Sequence, residues 1–339
     1  LVAGQGKPAT LADVARLAGV SSMTVSRVIN DAATVSDETQ ARVREAMGQL
    51  RYRPNSLARS LVRGRTNTIG VVIHDTGQYG PGSALLGIER AARQRGYGVS
   101  LAAIGSPDRT GVREAVLTLD ERMVDGLVVI APFVGTAGAL RGLDRGIPVV
   151  VAEAGHPDEA TIVGIDQVMG ARLATRHLID LGHRTVHHVA GPPDWIESRE
   201  RAAGWRDALA ASGIAAPEPL EGNWTARSGY EAGVRLAADP EVTAVFVGND
   251  QMALGVLHAF HAQQVAVPGD ISIVGFDDTP ESAYYSPALT TIRQDFGELG
   301  QMAVQVLDQL VGAGAVAPVA QHLIQPTLVL RASTGPPRR

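Results

Sequence analysis

From Thr68 onward, short runs of apolar residues recur, and amphipathic helical stretches separate them. The runs are TIGVVI, YGVSLAAI, DGLVVIAP, IPVVVAEA, RTVHHVAG, TAVFVGND and ISIVGFDD, with stretches such as SALLGIERAARQRG and REAVLTLDERMV between most of them. A strand that is apolar at every position is covered on both faces, and strand–helix alternation provides that cover through parallel strands joined by crossovers. The pattern spans about 265 residues, large for one doubly wound sheet and comfortable for two. Ligands of such sheets lie beyond the carboxyl ends of the strands. Many of these runs end in polar or turn residues: His74-Asp75, Glu153, Gly191-Pro192, Asn249-Asp250 and Asp277-Asp278, which are expected to line one rim.

The first ~50 residues have a different texture and read as three short helices. Thr10 and Asp13 form a capping box for a helix from Leu11 that buries Val14, Leu17 and Ala18 and stops at Gly19. Ser21 caps a second helix running through Asn30, with Val25, Val28 and Ile29 inward and Ser22, Met23 and Arg27 outward. Ser36 caps a third, Asp37 to Leu50, burying Val43, Met47 and Leu50. Two helices joined by a tight glycine turn make a helix-turn-helix. Next comes RYRPNSLARSLVRGRT, in which Pro54 ends the preceding helix and Asn55 caps a short one, Ser56 to Val62, flanked by five arginines.

Charge follows the same division. The chain carries −5 overall, yet residues 1–65 hold ten Lys/Arg against five Asp/Glu. A basic head on an acidic body points to a polyanion at the head, with chance clustering of solvated charge as the plain alternative. Lys7 is the sole lysine, which removes phosphate-binding P-loops, kinases and Schiff-base enzymes. Cysteine is absent, which removes disulfides and thiolate metal sites. No apolar run approaches the ~18 residues that cross a bilayer, and the opening LVAGQGKPAT has no signal-peptide core. A cytoplasmic, nucleoid-associated protein is expected.

The string TLADVARLAGVSSMTVSRVIN followed by YRPNSLARSL resembles the DNA-binding head and hinge of the lac-repressor (LacI/GalR) family. The body is similar too: LGHRTVHHVAG, SRERAAGW, EGNWTARSGY, VGNDQMALG, ISIVGFDDTP and LTTIRQDFGELG stand in the family's order and spacing, from about Thr10 to about Leu330. The resemblance implies a small all-α helix-turn-helix head and an α/β core like periplasmic binding proteins. Two doubly wound parallel-sheet subdomains would be joined by crossovers near Gly164, Arg293 and Gln325, with the ligand between them. The implied division is a leader at 1–9, a helix-turn-helix domain at 10–53, a hinge helix and linker at 54–66, and an effector-binding core at 67–332. Within the core the N-subdomain takes about 67–164 and 294–324, the C-subdomain about 165–293 and 325–332, and 333–339 form a tail.

By the same resemblance the second helix enters the DNA major groove. Ser22 and Met23 take the base-reading pair, where the family pattern has other residues, so operator preference is expected to differ. Arg27 supplies a bidentate donor for guanine. Ser21, Thr24, Ser26 and Asn30 position phosphates or cap the helix. Leu61 takes the place of the leucine that wedges into the minor groove, flanked by Asn55 and Ala58. Solvated helix surface, and for Leu61 packing on the body, are the non-functional alternatives.

For the cleft the resemblance implies Arg201 as a fork on ligand hydroxyls, Asp277 as their acceptor, Asn249 as donor and acceptor, and Trp224 packing on a sugar face. Gln294 and Phe296 lie at a crossover, and Pro81 and its neighbours form the N-terminal wall. Two departures stand out: Glu153 where the pattern has Asp, and Glu197 where it has Ser. Without the resemblance, Arg201 reads as a surface helix arginine and Trp224 as core. Asp250 and Asp278 read best as caps of following helices. Arg201 and Asp277 are expected to bond each other or water when the cleft is empty.

Other chemistry finds little support. No G-x-S-x-G or H-E-x-x-H occurs. His183, His187 and His188 cluster, but 187 and 188 point to opposite faces of a strand, which leaves a structural role. No catalytic residues, metal or cofactor are expected. The reading is a sequence-specific transcriptional repressor that binds double-stranded operator DNA and is released by a small, galactoside-like sugar. A homodimer without membrane partners is expected, because RASTGPPRR after Leu330 cannot form a coiled coil. Rivals are the same fold with ligand as corepressor or with another effector, and a solute-binding protein serving a transporter.

Overall fold

The computed structural model describes residues 9–30, 34–52, 65–104, 109–131, 133, 140, 146–152, 161–313 and 320–338. It separates into two compact units, Leu1–Thr66 and Asn67–Arg339.

The first unit holds α1 (Leu11–Ala18), α2 (Ser22–Asn30) and α3 (Asp37–Gln49). Both halves of the capping box form: the Asp13 N–H donates to Thr10 Oγ1 at 3.3 Å and the Thr10 N–H to Asp13 Oδ2 at 2.9 Å. Gly19 ends α1 at φ +67°, a left-handed conformation that side chains resist. The Thr24 N–H donates to Ser21 Oγ at 3.1 Å and so starts α2. Ser36 departs from expectation. It occupies the cap position of α3, but its hydroxyl donates to Thr39 Oγ1 at 3.0 Å instead of accepting from the backbone. Asp37 and Glu38 support that helix start through its dipole. Val14, Ala15, Ala18, Val25, Val28, Val43 and Ala46 form the core, with Met47 and Leu50 half-buried against it. Leu17 stands apart at 50% exposure. It lies roughly 110° around α1 from the centre of the Val14–Ala15–Ala18 stripe, too far to be covered.

The second unit has two six-stranded sheets. The first holds β1 (Thr68–Ile73), β2 (Gly98–Ala103), β3 (Gly126–Ile130), β4 (Val149–Ala152), β5 (Thr161–Ile165) and β11 (Gln321–Ile324) in the order β11-β5-β4-β3-β1-β2, all parallel. Helices α4 (Tyr79–Gln94), α5 (Arg109–Glu121) and α10 (Phe296–Ala313) accompany it. The second sheet holds β6 (His187–Ala190), β7 (Leu220–Glu221), β8 (Ala244–Val247), β9 (Ser272–Asp277), β10 (Thr290–Arg293) and β12 (Thr327–Val329) in the order β12-β10-β9-β8-β6-β7. Its strands are parallel except the edge strand β12. Helices α6 (Gln167–Asp180), α7 (Ile196–Ala211), α8 (Ala226–Ala237) and α9 (Asp250–Ala262) pack around it. The chain crosses between sheets after Ile165, after Arg293 and after Ile324.

All seven apolar runs are strands. The five strands that were not expected, β5, β7, β10, β11 and β12, are two to five residues long. Residues 333–338, set apart above as a tail, close the second sheet instead. Ser333 is fully buried, its hydroxyl donating to the Ile273 carbonyl at 2.7 Å and accepting from the Thr290 N–H at 2.8 Å. The small side chain lets the last segment approach strand backbone and satisfy groups that β9 and β10 leave open.

Gly87 on α4 and Gly300 on α10 bring these helices backbone to backbone, and so hold Tyr79, Pro81 and Phe296 at one wall of the inter-sheet cleft. A methyl group on Gly300 would come within 2.1 Å of the Gly87 carbonyl carbon, which cannot retreat as a side chain could. Gly300→Ala is therefore expected to destabilise the second unit by about 1–3 kcal/mol or more, read as a lower midpoint in urea unfolding.

Candidate functional site

On α2, Ser21, Ser22, Met23, Arg27 and Asn30 are exposed, while Thr24 and Ser26 are half-buried. Val25 and Val28 anchor the opposite face. Met23 is 66% exposed, and its sulfur lies 3.9 Å from Arg27 Nη2, one turn further on. An apolar tip and a guanidinium fork thus stand side by side. Ser21 and Thr24 pair their hydroxyls at 2.9 Å, and Asn30 Nδ2 donates to Ser26 Oγ at 3.2 Å, which fixes the polar flank. Asn55, Ala58 and Leu61 lie outside the described residues.

A cleft of about 510 Å³, counted to its open mouth, lies between the two sheets. It gathers Pro81, Glu197, Arg201, Trp224, Asn249, Asp277, Gln294 and Phe296. Every cleft residue proposed from sequence is among them except Glu153, which lies outside the described residues. Gln78, Tyr79 and Gly80 line it beside Pro81, and Ile165, Gln167, Trp195 and Leu299, which were not foreseen, complete the wall. Gln167 had the one legible signal: it opens a helix at a crossover between the sheets.

The polar floor is one hydrogen-bonded array. Arg201 Nε donates to Gln167 Oε1 at 2.8 Å, and its Nη1 donates to the Gly248 carbonyl. Its Nη2 lies 3.7 Å from Asp277 Oδ1. Gln167 Nε2 donates to Gln294 Oε1 at 2.8 Å, and Gln294 Nε2 to Asp277 Oδ1 at 2.7 Å. A buried guanidinium and carboxylate tolerate loss of water only when partnered in this way. The guanidinium also lies over the rings of Phe276, at 3.9 Å, and Trp224, at 5.4 Å.

Trp224 is buried, and its indole N–H has no hydrogen-bond partner among the described residues. A Cβ on Gly191 would meet its ring at 2.1 Å, so the glycine after β6 leaves the space that the indole fills. Trp224 and Asp277 have φ of +69° and +116°. Backbone held there costs on the order of 1–3 kcal/mol per residue and persists where the surroundings enforce it, often at binding sites. Asn249 caps α9, Oδ1 accepting from the Met252 N–H at 2.9 Å, while Nδ2 donates to the Trp224 carbonyl at 3.1 Å.

The aspartates beside these residues do not cap helices, contrary to expectation. Asp250 turns inward: Oδ2 accepts from the Thr279 N–H at 2.9 Å and Oδ1 from Thr291 Oγ1 at 2.6 Å. Asn249 already holds the cap, and the adjacent carboxylate ties the segment after β9 to β10. Asp278 pairs with Arg293 at 2.6 Å and Arg331 at 2.5 Å. No α-helix follows it, only a 3-10 turn at Pro280–Tyr284, so the arginines take its charge. His188 stacks on Phe246 and its Nδ1 lies 3.0 Å from the Phe246 carbonyl.

Burial pushes the Asp277 carboxyl up to about 6, against the pull of Arg201 and Gln294. Burial, reinforced by the charge of Asp277, pushes Asp250 up to about 7. The folded chain keeps these protons where the unfolded chain has lost them, so the stability they contribute is lost as pH rises through 6 to 7. His188, held by burial down to about 4, acts oppositely and only below its ordinary value. The melting temperature is therefore expected to fall as pH rises from about 5 to 7 and to level off above that. Asp250→Asn, which mimics the protonated form, is expected to flatten that slope in calorimetric melts.

Residues 10–55 match the model for bacterial regulatory proteins of the lacI family, and residues 175–334 that for the periplasmic binding protein-like domain. The chain is 36% identical to the lactose operon repressor of Escherichia coli K12, across 98% of this chain and 92% of that protein. This chain belongs to the lacI family. A second relative, the ribose operon repressor of the same organism, is also 36% identical, over 88% of this chain and 92% of that one. Among solved structures, the lac repressor dimer bound to operator and the anti-inducer ONPF superposes with a TM-score of 0.86 at 35% identity, covering 97% of this chain and 100% of that one. These lacI-family relatives are regulators and not enzymes. The chain is accordingly a DNA-binding transcriptional regulator, and no helix among its described residues is long and apolar enough to cross a membrane.

Proposed function

We propose that this lacI-family regulator is a repressor that binds operator DNA as a homodimer and leaves it when a small neutral, galactoside-like sugar enters the cleft. The observation that carries this is the buried Arg201–Asp277–Gln294–Gln167 array set beside the unpartnered indole N–H of Trp224. Alternating donors and acceptors around an aromatic face suit a polyol ring. Asn249 and Glu197 add further hydrogen bonders, while Pro81 and Phe296 supply the apolar wall. Relatives named for lactose and ribose operons support a sugar.

At the head, Arg27 reads guanine, Met23 and Ser22 form the variable pair, and Ser21, Thr24, Ser26 and Asn30 hold phosphates. Leu61, with Asn55 and Ala58, wedges the minor groove at the operator centre. Sugar acts by preferring the conformation in which the paired hinge segments lose mutual support.

Calorimetric titration of the full chain with neutral monosaccharides and galactosides, with and without operator, tests the proposal. Operator DNA is expected to weaken sugar binding by the factor by which sugar weakens operator binding. An operator that tightens sugar binding would show a corepressor, and one that leaves it unchanged would break the coupling.

A further inference from the structure

Trp195 breaks a local rule. It occupies the N-cap of α7, where Ser, Thr, Asp or Asn would satisfy a free backbone N–H, and its side chain makes no cap bond. A residue kept against local preference points to a role set elsewhere in the fold. Its surroundings show that role. The indole lines the cleft. Its ring meets Trp224 edge-on at 5.7 Å on one side and Phe133 at 5.5 Å on the other. Phe133 is buried outside the cleft lining and belongs to the first sheet's side, after β3, with the His74 ring edge-on to it at 4.6 Å between centroids. Phe133 and Trp195 also form an antiparallel backbone bridge. Trp195 accordingly packs on the apolar cores of both subdomains.

Strand order places this bridge. The crossovers leave from β5, β10 and β11 at one side of the sheets. In the first sheet β3 lies two strands from β5, and in the second β6 lies three strands from β10. Trp195 therefore stands away from the crossovers, where a two-sheet cleft would otherwise run on toward Phe133.

We infer that Trp195 is the end wall of the effector cleft and limits the ligand to a single sugar ring, excluding disaccharides and aryl glycosides. The inference rests on the sugar reading above. The ring that packs on Trp224 has the crossovers at one end and the Trp195 indole, backed by Phe133, at the other. Removing that indole lengthens the cleft to Phe133, whose ring then offers a platform for a second sugar, with His74 Nδ1, which has no partner among the described residues, close by.

The test uses the full chain and three forms: the parent, Trp195→Ser, whose hydroxyl restores a helix cap, and Trp195→Phe, which keeps a smaller wall. Each is titrated calorimetrically with D-galactose and D-glucose and with lactose and cellobiose. The parent is expected to favour a monosaccharide over its disaccharide by about tenfold or more, and Trp195→Ser to narrow that ratio by about tenfold, with Trp195→Phe between. A parent that prefers the disaccharide, or a ratio unchanged in both variants, overturns the inference. In the two variants, which lack the Trp195 indole, acrylamide quenching reads Trp224 without ligand, since Trp205 is sealed in the core. Quenching is expected to rise from Trp195→Phe to Trp195→Ser. A rise in a chain that binds none of these sugars keeps the wall and removes the sugar reading; no rise removes the wall.

Discussion

Arg201→Ala is expected to leave a protein that still holds its operator but no longer releases it when sugar is added. Arg201 reaches the cleft on α7 and anchors the array through Gln167, Gly248 and Asp277. Hydrogen bonds to a charged group contribute about 1.5–3 kcal/mol each, so losing the fork proposed to meet two ligand hydroxyls is expected to weaken sugar binding by roughly 100-fold or more. Breaking a buried ion pair commonly costs about 3–5 kcal/mol because one charge is left uncompensated. Here the cost is smaller, since Asp277 already titrates near 6 and takes up a proton once the arginine is gone. Stability is then expected to fall by about 1–3 kcal/mol, the penalty of disrupted buried hydrogen bonds. Arg201→Lys keeps the charge but not the planar fork and is not expected to rescue binding. Calorimetry with sugar, a mobility-shift assay with and without it, and urea unfolding separate these effects. Normal sugar affinity in the alanine variant would remove Arg201 from the site.

Arg27→Ala is expected to produce the opposite phenotype: sugar binding intact and operator binding lost. A bidentate arginine–guanine pair contributes about 1–3 kcal/mol of discrimination. A two-fold symmetric dimer presents the residue to both half-sites, so the deficit on the full operator is about 2–6 kcal/mol. The loss is specific to one base position in each half-site, and the salt dependence of binding changes little, because phosphate contacts remain. Ser22→Ala is expected to cost far less, since a hydroxyl accepts several base edges. A uniform loss across all sequences with a shallower salt slope would instead place Arg27 on a phosphate.

Much of this was legible in the chain. Strands such as TIGVVI and ISIVGFDD are apolar throughout because helices cover both faces, and period alone exposes that. Thr10, Asp13 and Gly19 fix the ends of α1 through bonds within a few residues, so those ends read correctly. Leu17 did not: apolarity says that it prefers burial, but only the placement of α2 and α3 decides which stripe is covered. Ser36 had the right residue type and chose a side-chain partner. The five short strands were missed because two to five residues carry too little pattern to separate strand from loop.

The site divides in the same way. Arg201, Asp277, Asn249 and Trp224 were found because local strings around them carry the family's pattern. Gln167 and Trp195 were not: a place at a crossover is the whole signal for Gln167, nothing near Trp195 announces a ligand, and both reach the cleft only when two sheets are brought together. Asp250 and Asp278 follow strands and looked like helix caps, yet one binds Thr279 after β9 and Thr291 on β10, and the other binds Arg293 at the end of β10 and Arg331 after β12. The sequence by itself determined the longer elements, the two-sheet architecture and the chemistry available at the strand ends, because those depend on periodicity and on bonds between near neighbours. Only the tertiary structure decided which polar groups pair across the cleft, which carboxyls are driven up by burial and where the cleft ends, because each depends on residues far apart in the chain meeting out of water.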